Sequence, residues 1–313
     1  MIRVLLSFLV LFFYSSLSHT KEIFDLDYNN LVVGSIKYIK SEQGESIPGL
    51  TIRYDTGYHE LLSANPNNKK WFPKENTTFK IPSMYILPQK SYKGLILNLS
   101  EMRLYYYMSP EDLYEVTRVV TFPVSIGRND WKTPLGETTI IHKVENPIWY
   151  PPQSIIDEHK ARGDDLPKIV PPGSKNPLGK FALDLELPGY LLHGTNRPQG
   201  IGMMVTHGCI RLRDNAIKTL FYNAKIGTRV KIINEPIKVG TLLDELYIEV
   251  HDFEENYKDI ALEEVNINSD INLLKPLITF LNNNPNYKVN WEIVFKSIKN
   301  SHGIPVIVGK KSL

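Results

Sequence analysis

The chain has one cysteine in 313 residues, so it cannot close an internal disulfide or build a multi-cysteine metal site. It also lacks a charge imbalance. Thirty-six basic residues against 34 acidic ones leave a formal +2, which offers no field to draw in nucleic acid or an anionic membrane. There is no internal repeat or low-complexity tract, and beyond the amino terminus no apolar run approaches the roughly 20 residues of a membrane span. What is present is an ordinary globular composition, 42% hydrophobic and 22% charged, long enough for two or three domains. Activity therefore has to be sought in particular residues.

Met1-Ile2-Arg3, an apolar run over 4–14 and small polar residues over 15–20 form a secretory signal pattern, with cleavage expected after Ser18 or Thr20. The alternative is an uncleaved anchor. Residues 1–20 are thus read as a signal peptide, and the mature chain is expected outside the cytoplasm. In that oxidising setting Cys209 is an unpaired thiol, a liability unless it works. The mature-chain histidines away from it, His59, His142, His159, His251 and His302, show no ligand spacing, so neither a metal nor another cofactor is expected.

Cys209 sits in Thr206-His207-Gly208-Cys209-Ile210-Arg211, polar surroundings that argue against an ordinary core thiol. A thiol with an ordinary pKa near 8.5 needs a base or positive surroundings to become the nucleophilic thiolate. Two histidines are available. His207 and Cys209 on extended backbone share a face about 7 Å apart, too far for a hydrogen bond unless Gly208 turns the chain. His193 follows the apolar Tyr190-Leu191-Leu192, a predicted strand, and comes from a separate segment whose distance to sulfur the fold can set. His193 is therefore the expected base, and His207 a site-shaping or substrate-contacting residue. The Gly208 and Cys209 amides are the expected oxyanion donors, because glycine lets a carbonyl approach. Arg211 is either an ordinary ion-paired arginine or a grip for a substrate carboxylate, which a guanidinium fork fits.

His193-Gly194-Thr195-Asn196, Gly200-Ile201-Gly202 and Thr206-His207-Gly208-Cys209-Ile210-Arg211-Leu212 together resemble the signature of the L,D-transpeptidases with a YkuD-type catalytic domain. The resemblance implies that Cys209 is acylated, that His193 is the proton acceptor and donor, and that the Gly194 carbonyl orients it. It also implies a peptidoglycan tetrapeptide stem as donor, acylated on its diamino acid with loss of D-alanine, and a periplasmic location. Thr206, His207 and Arg211 are then the expected substrate contacts.

Around that centre, residues 36–82 read as a small βααβ module, with Ser46 capping a first helix, Pro48 in its opening turn, and Asn65-Pro66 ending a second. Gly44-Glu45-Ser46-Ile47, Leu61-Leu62-Ser63-Ala64-Asn65-Pro66 and Trp71-Phe72-Pro73 resemble LysM, which implies binding of wall glycan. Residues 83–93 read as a linker. From 94 to 233 the texture is mainly β, predicting a β-sandwich or barrel-like catalytic domain. Within it, 146–179 is proline-rich and irregular, with at most a short helix over 154–160, and is a candidate lid or pocket wall. Trp149 and Tyr150 there suit sugar or peptide contacts, or, for Trp149, core packing. Asp214 is the expected cap of a bracing helix. Residues 234–313 read as a small α+β domain without a catalytic constellation. The three-part order resembles the branch that ties an outer-membrane lipoprotein to peptidoglycan, which implies the lipoprotein's C-terminal lysine as acceptor. A second stem or water are the other acceptors, and a non-catalytic wall-binding protein is the competing class.

Overall fold

The structure, a computed structural model, describes residues 23–27, 29–88, 92–108, 117–252 and 268–312, so the signal expected over 1–20 lies outside the described residues. After β1 (Ile23–Asp25) and β2 (Val32–Gly34) comes the unit β3 (Lys37–Lys40), α1 (Ile47–Arg53), α2 (Tyr58–Ala64) and β4 (Thr78–Ile81). Strands β3 and β4 pair antiparallel, and Ile47, Leu50, Leu61, Phe79 and Ile81 close a small core between them and the two helices. Ser46 caps α1 by accepting from the Gly49 amide at 3.2 Å, with Pro48 in the first turn, where its missing N–H costs nothing. Strand β5 (Met84–Ile86) then pairs back on β2. The segment expected to be a linker therefore carries a strand.

The next stretch supplies β6 (Gly94–Asn98), β7 (Arg103–Met108), β8 (Arg118–Pro123), β9 (Ile126–Gly127), β10 (Gly136–Glu145) and α3 (Gln153–Ala161). It continues with β11 (Phe181–Leu185), β12 (Leu191–His193), β13 (Met204–Thr206), β14 (Ile210–Arg211), α4 (Asp214–Asn223) and β15 (Arg229–Ile233). Nine strands form one mixed sheet in the order β1-β8-β7-β6-β15-β10-β11-β12-β14. It is not two packed sheets. Ser125, just past β8, exchanges both backbone hydrogen bonds with Arg211 of β14 at 2.9 Å, which curls the far edge of the sheet back toward β8 in the barrel-like alternative.

Alternation along β6 explains why the sheet is covered on both faces. Leu95 and Leu97 point into the inner core with Phe122, Leu192, Ile210 and Ile217, while Ile96 joins Tyr105, Tyr107 and Ile86 on the other side. Helix α4 braces the inner core with Ala216, Ile217 and Leu220. Its cap position is Arg213, at φ −67° and ψ 155°, and Asp214 is the first helical residue. The cap expected at Asp214 is thus one residue off, and Asp214 instead places a negative charge in the first turn, where the helix dipole favours it.

The last part is a four-stranded antiparallel sheet, β16 (Ile237–Leu242), β17 (Glu245–Val250), β19 (Val306–Lys311) and β18 (Tyr287–Val289) in that order. Helices Asn268–Asn283 and Trp291–Asn300 pack on it through Leu277 and Val294. A buried polar cluster ties this part to the catalytic sheet. Lys238 Nζ donates to Glu101 at 2.9 Å, to the Ile86 carbonyl at 2.7 Å and to Tyr105 at 3.0 Å, and lies 3.0 Å from Glu249.

Candidate active site

Parallel strands β12 and β14 set the site, in the register Leu192↔Ile210 and His193↔Arg211. Leu192 and Ile210 are fully buried in the core, so by strand alternation His193 and Arg211 share the opposite face. Cys209 lies one residue before β14, beside the Leu191 backbone. His193 and Cys209 thus come from the separate segments expected, β12 and the residue before β14.

His193 is buried, and its Nδ1 lies 2.7 Å from the Gly194 carbonyl. A carbonyl only accepts, so Nδ1 carries the proton and Nε2 keeps its lone pair. Burial and then the Arg211 charge push the imidazole pKa down to about 3, against the pull of the Gly194 and Pro177 carbonyls. The ring is therefore a neutral base at ordinary pH. Burial pushes the Cys209 thiol up from its ordinary value, with the Leu191 amide and Arg211 opposing. Its Sγ points at the Gly189 carbonyl at 3.5 Å. The resting pair is thiol and neutral imidazole, not the thiolate that an electropositive setting alone would supply.

Gly208 has φ +98°, so the chain does turn there, and a Cβ would lie 2.7 Å from the Tyr190 ring. The Gly208 carbonyl accepts from Thr133 Oγ1 at 2.8 Å, and that hydroxyl accepts from the Gly127 amide at 3.0 Å. In a trans peptide the carbonyl and the next N–H point in opposite directions. Fixing the Gly208 carbonyl on Thr133 therefore aims the Cys209 amide away from it. No hydrogen bond from the Gly208 or Cys209 amide is present among the described residues.

The turn sends His207 away from sulfur. Its Nε2 meets Glu158 at 2.7 Å, and its ring sits 5.3 Å from Trp131. Glu158 lies on α3, in the proline-rich insertion, and accepts from Arg128 at 2.9 and 2.7 Å as well as from Arg162. Those hydrogen bonds, Arg128 first and His207 next, hold its pKa down at about 2. The insertion is thereby pinned along the catalytic loop. Within it, Trp149 and Val170 exchange backbone bonds at 2.9 Å, and Tyr150 is exposed. Thr206 is buried and donates to the Cys209 carbonyl at 2.6 Å. Its hydroxyl closes the turn and is not presented to a substrate.

The βααβ unit reaches the same loop. The Tyr58 and His59 amides donate to the Ile201 and Gly202 carbonyls at 3.0 and 3.1 Å, and a Cβ on Gly202 would collide with the Tyr58 backbone. Gly202 serves this close approach and not a flexible turn. Arg213 donates to Asp55 and to the Thr56 carbonyl, both at 2.9 Å, and Glu60 clasps buried Arg103 of β7 with both oxygens at 2.7 and 2.6 Å. Sequence reasoning singled out none of Thr133, Glu158, Arg213, Glu60 and Arg103. For Arg213 the available signal was its place directly after Leu212, the last residue of the motif.

Glu101, Glu249 and His251 bring ligand-type atoms within 4.8 Å of one another, a grouping that spacing did not reveal. Lys238 bonds both carboxylates, so a positive charge already occupies the cluster.

A neutral imidazole on the strand beside a half-buried thiol, with unengaged backbone amides at the thiol, is an arrangement able to support acyl transfer through sulfur. Residues 92–232 match the L,D-transpeptidase catalytic domain, YkuD. The chain is 41% identical over 214 residues to the probable L,D-transpeptidase YcfS of Escherichia coli K12, covering 67% of this chain and 65% of the relative's length. It is 38% identical over 224 residues to the probable L,D-transpeptidase YbiS of the same strain, covering 70% and 71%. Superposition on L,D-transpeptidase 3 of Mycobacterium tuberculosis gives a TM-score of 0.32 at 16% identity over 50% of this chain and 75% of that one. The chain belongs to the L,D-transpeptidase family. No helix among the described residues is long and apolar enough to cross a membrane.

Proposed function

We propose that the protein is a periplasmic L,D-transpeptidase that acylates Cys209 with a peptidoglycan tetrapeptide stem and passes the acyl group to an amine. The observation that carries this is His193, neutral and with Nε2 unprotonated, at the end of the strand that pairs with β14, which Cys209 immediately precedes. In the first half-reaction His193 Nε2 takes the thiol proton as sulfur attacks the carbonyl of the diamino acid. The oxyanion is met by the Gly208 and Cys209 amides. Collapse breaks the C–N bond, His193 returns the proton to the leaving nitrogen, and D-alanine departs, leaving a thioester. In the second half His193 takes a proton from the incoming amine, the new amide forms, and the thiol is restored.

The amine is the C-terminal lysine of an outer-membrane lipoprotein, a choice that rests on the module order before and after the catalytic sheet. The βααβ unit is LysM-like and holds wall glycan. Supporting this, Trp71 and Phe72 are exposed, and the Trp71 carbonyl accepts from the Ile47 amide at the start of α1. Sacculi incubated with the protein and, in turn, a lysine-ended lipoprotein peptide, a second stem and water, then read by mass spectrometry, should show the lipoprotein adduct. Cys209→Ala should release no D-alanine under any condition, and release by that variant refutes the mechanism.

A further inference from the structure

Most arginines that line a described contact have an acid: Arg53 has Glu42 and Glu45, Arg103 has Glu60, Arg128 has Glu158, and Arg213 has Asp55. Arg211 does not. Its Nε is buried without a hydrogen-bond partner, although the residue sits in register with His193 and two positions past the thiol. A second cation, Arg197, exposed at the start of the turn Pro198–Gly200, is close enough for its charge to disfavour the Arg211 guanidinium. Among the described residues no acid pairs with either guanidinium. Two cations held close, one of them half-buried and unpaired, are unfavourable alone and become favourable with an anion between them.

We propose that Arg211 and Arg197 form a two-guanidinium site for the free C-terminal carboxylate of the residue that the donor peptide loses. The inference rests on the transpeptidase reading and assigns a specificity-determining role within it. The choice of carboxylate follows from the register. The imidazole has to reach the leaving nitrogen to protonate it, and the leaving residue's carboxylate is two bonds from that nitrogen. Arg211, directly across the ladder from His193, is where that group arrives. Binding there has a second effect. The Arg211 charge disfavours protonated His193, and a carboxylate on Arg211 offsets it, so the base strengthens as the donor seats.

The test compares two donors on the purified full chain, a wall tetrapeptide ending in D-alanine and the same peptide with a C-terminal carboxamide. Acyl-enzyme on Cys209 is read by intact-protein mass spectrometry. The free acid should acylate at least about tenfold faster, the scale of a charge-assisted hydrogen-bonded contact. In Arg211→Gln and Arg197→Gln the acid-to-amide ratio should fall toward one, and a ratio taken within each variant does not move with the amount of folded protein. If Arg211→Gln fails to fold, exposed Arg197 decides. Equal rates for both donors in the wild type, or ratios unchanged in the variants, overturn the carboxylate site and leave the transpeptidase reading standing. Acylation by neither donor overturns both.

Discussion

Replacing Glu60 by Gln should destabilise the protein far more than an ordinary surface change, because its partner is buried with it. The Arg103 side chain is 2% exposed and that of Glu60 7%, and the guanidinium also lies 4.2 Å from the centre of the Tyr85 ring. The substitution keeps the shape and removes the charge, stranding a cation inside the sheet. Losing one partner of a buried pair costs about 3–5 kcal/mol. At about 2–4 °C per kcal/mol for a domain of this size, thermal unfolding should move down by roughly 6–20 °C. Adding Arg103→Met to Glu60→Gln removes the stranded charge and should recover most of the loss. Hydrogen exchange supplies the second readout, since the same junction holds Ile201 and Gly202 through the Tyr58 and His59 amides, and exchange over 201–208 should quicken in the single variant. A Glu60→Gln protein within about 0.5 kcal/mol of wild type, the range of inert surface changes, would refute the reasoning, as would a double variant weaker than the single.

Three further outcomes follow from the site and its supports. Thr133→Val releases the Gly208 carbonyl and with it the aim of the Cys209 amide, so single-turnover acylation should slow by about tenfold, a fraction of the 10²–10³ that one oxyanion donor supplies, at unchanged donor affinity. Alkylation of Cys209 by iodoacetamide should keep rising with pH through 8, because burial holds the thiol above its ordinary value, whereas a plateau below pH 7 would mean a preformed thiolate. Lys238→Met leaves the Glu101 and Glu249 carboxylates, side chains 1% and 0% exposed, with their shared cation gone, and chemical denaturation should report a loss of about 3–5 kcal/mol.

How much of this was legible in the sequence depended on how local each interaction is. The Ser46 cap spans three residues and was readable. The Asp214 cap was misplaced by one because the cap is defined by backbone dihedrals, and Arg213 takes the extended ones. His193 and Cys209 were readable because an apolar strand leads to one and a lone thiol among polar residues marks the other. Glu158 was not, since an acid on a polar helix in a proline-rich stretch reads as solvated. Its partners Arg128 and His207 lie 30 and 49 positions away, and only folding brings them to it. Arg213 and Asp55 are 158 positions apart, and nothing in either neighbourhood announces the other. The barrel-like curl is closed by Ser125 with Arg211 and by β9 with β13, pairings that no strand pattern encodes.

The resting charge state bears on how readily the lone thiol oxidises, since oxidation and disulfide exchange follow thiolate content and exposure. Burial raises the Cys209 pKa and lowers that of His193, so at rest neither proton transfer nor thiolate formation is favoured. Arg211 works on both, drawing the thiol's pKa down while also disfavouring imidazolium. An anion bound to Arg211 would ease imidazolium formation at some cost to the thiolate. In the proposed mechanism the net gain comes from moving a proton from Cys209 to His193, with sulfur bonding to carbon as the proton leaves. Charge separation is then confined to the moment a substrate carbonyl is present, and between turnovers the sulfur stays protonated and slow to oxidise. The half-buried thiol is the physical origin of that restraint, so a change that opens it to water, such as removing the Tyr190 ring that packs on Gly208, should make Cys209 quicker to react with peroxide without making it a better acylating nucleophile.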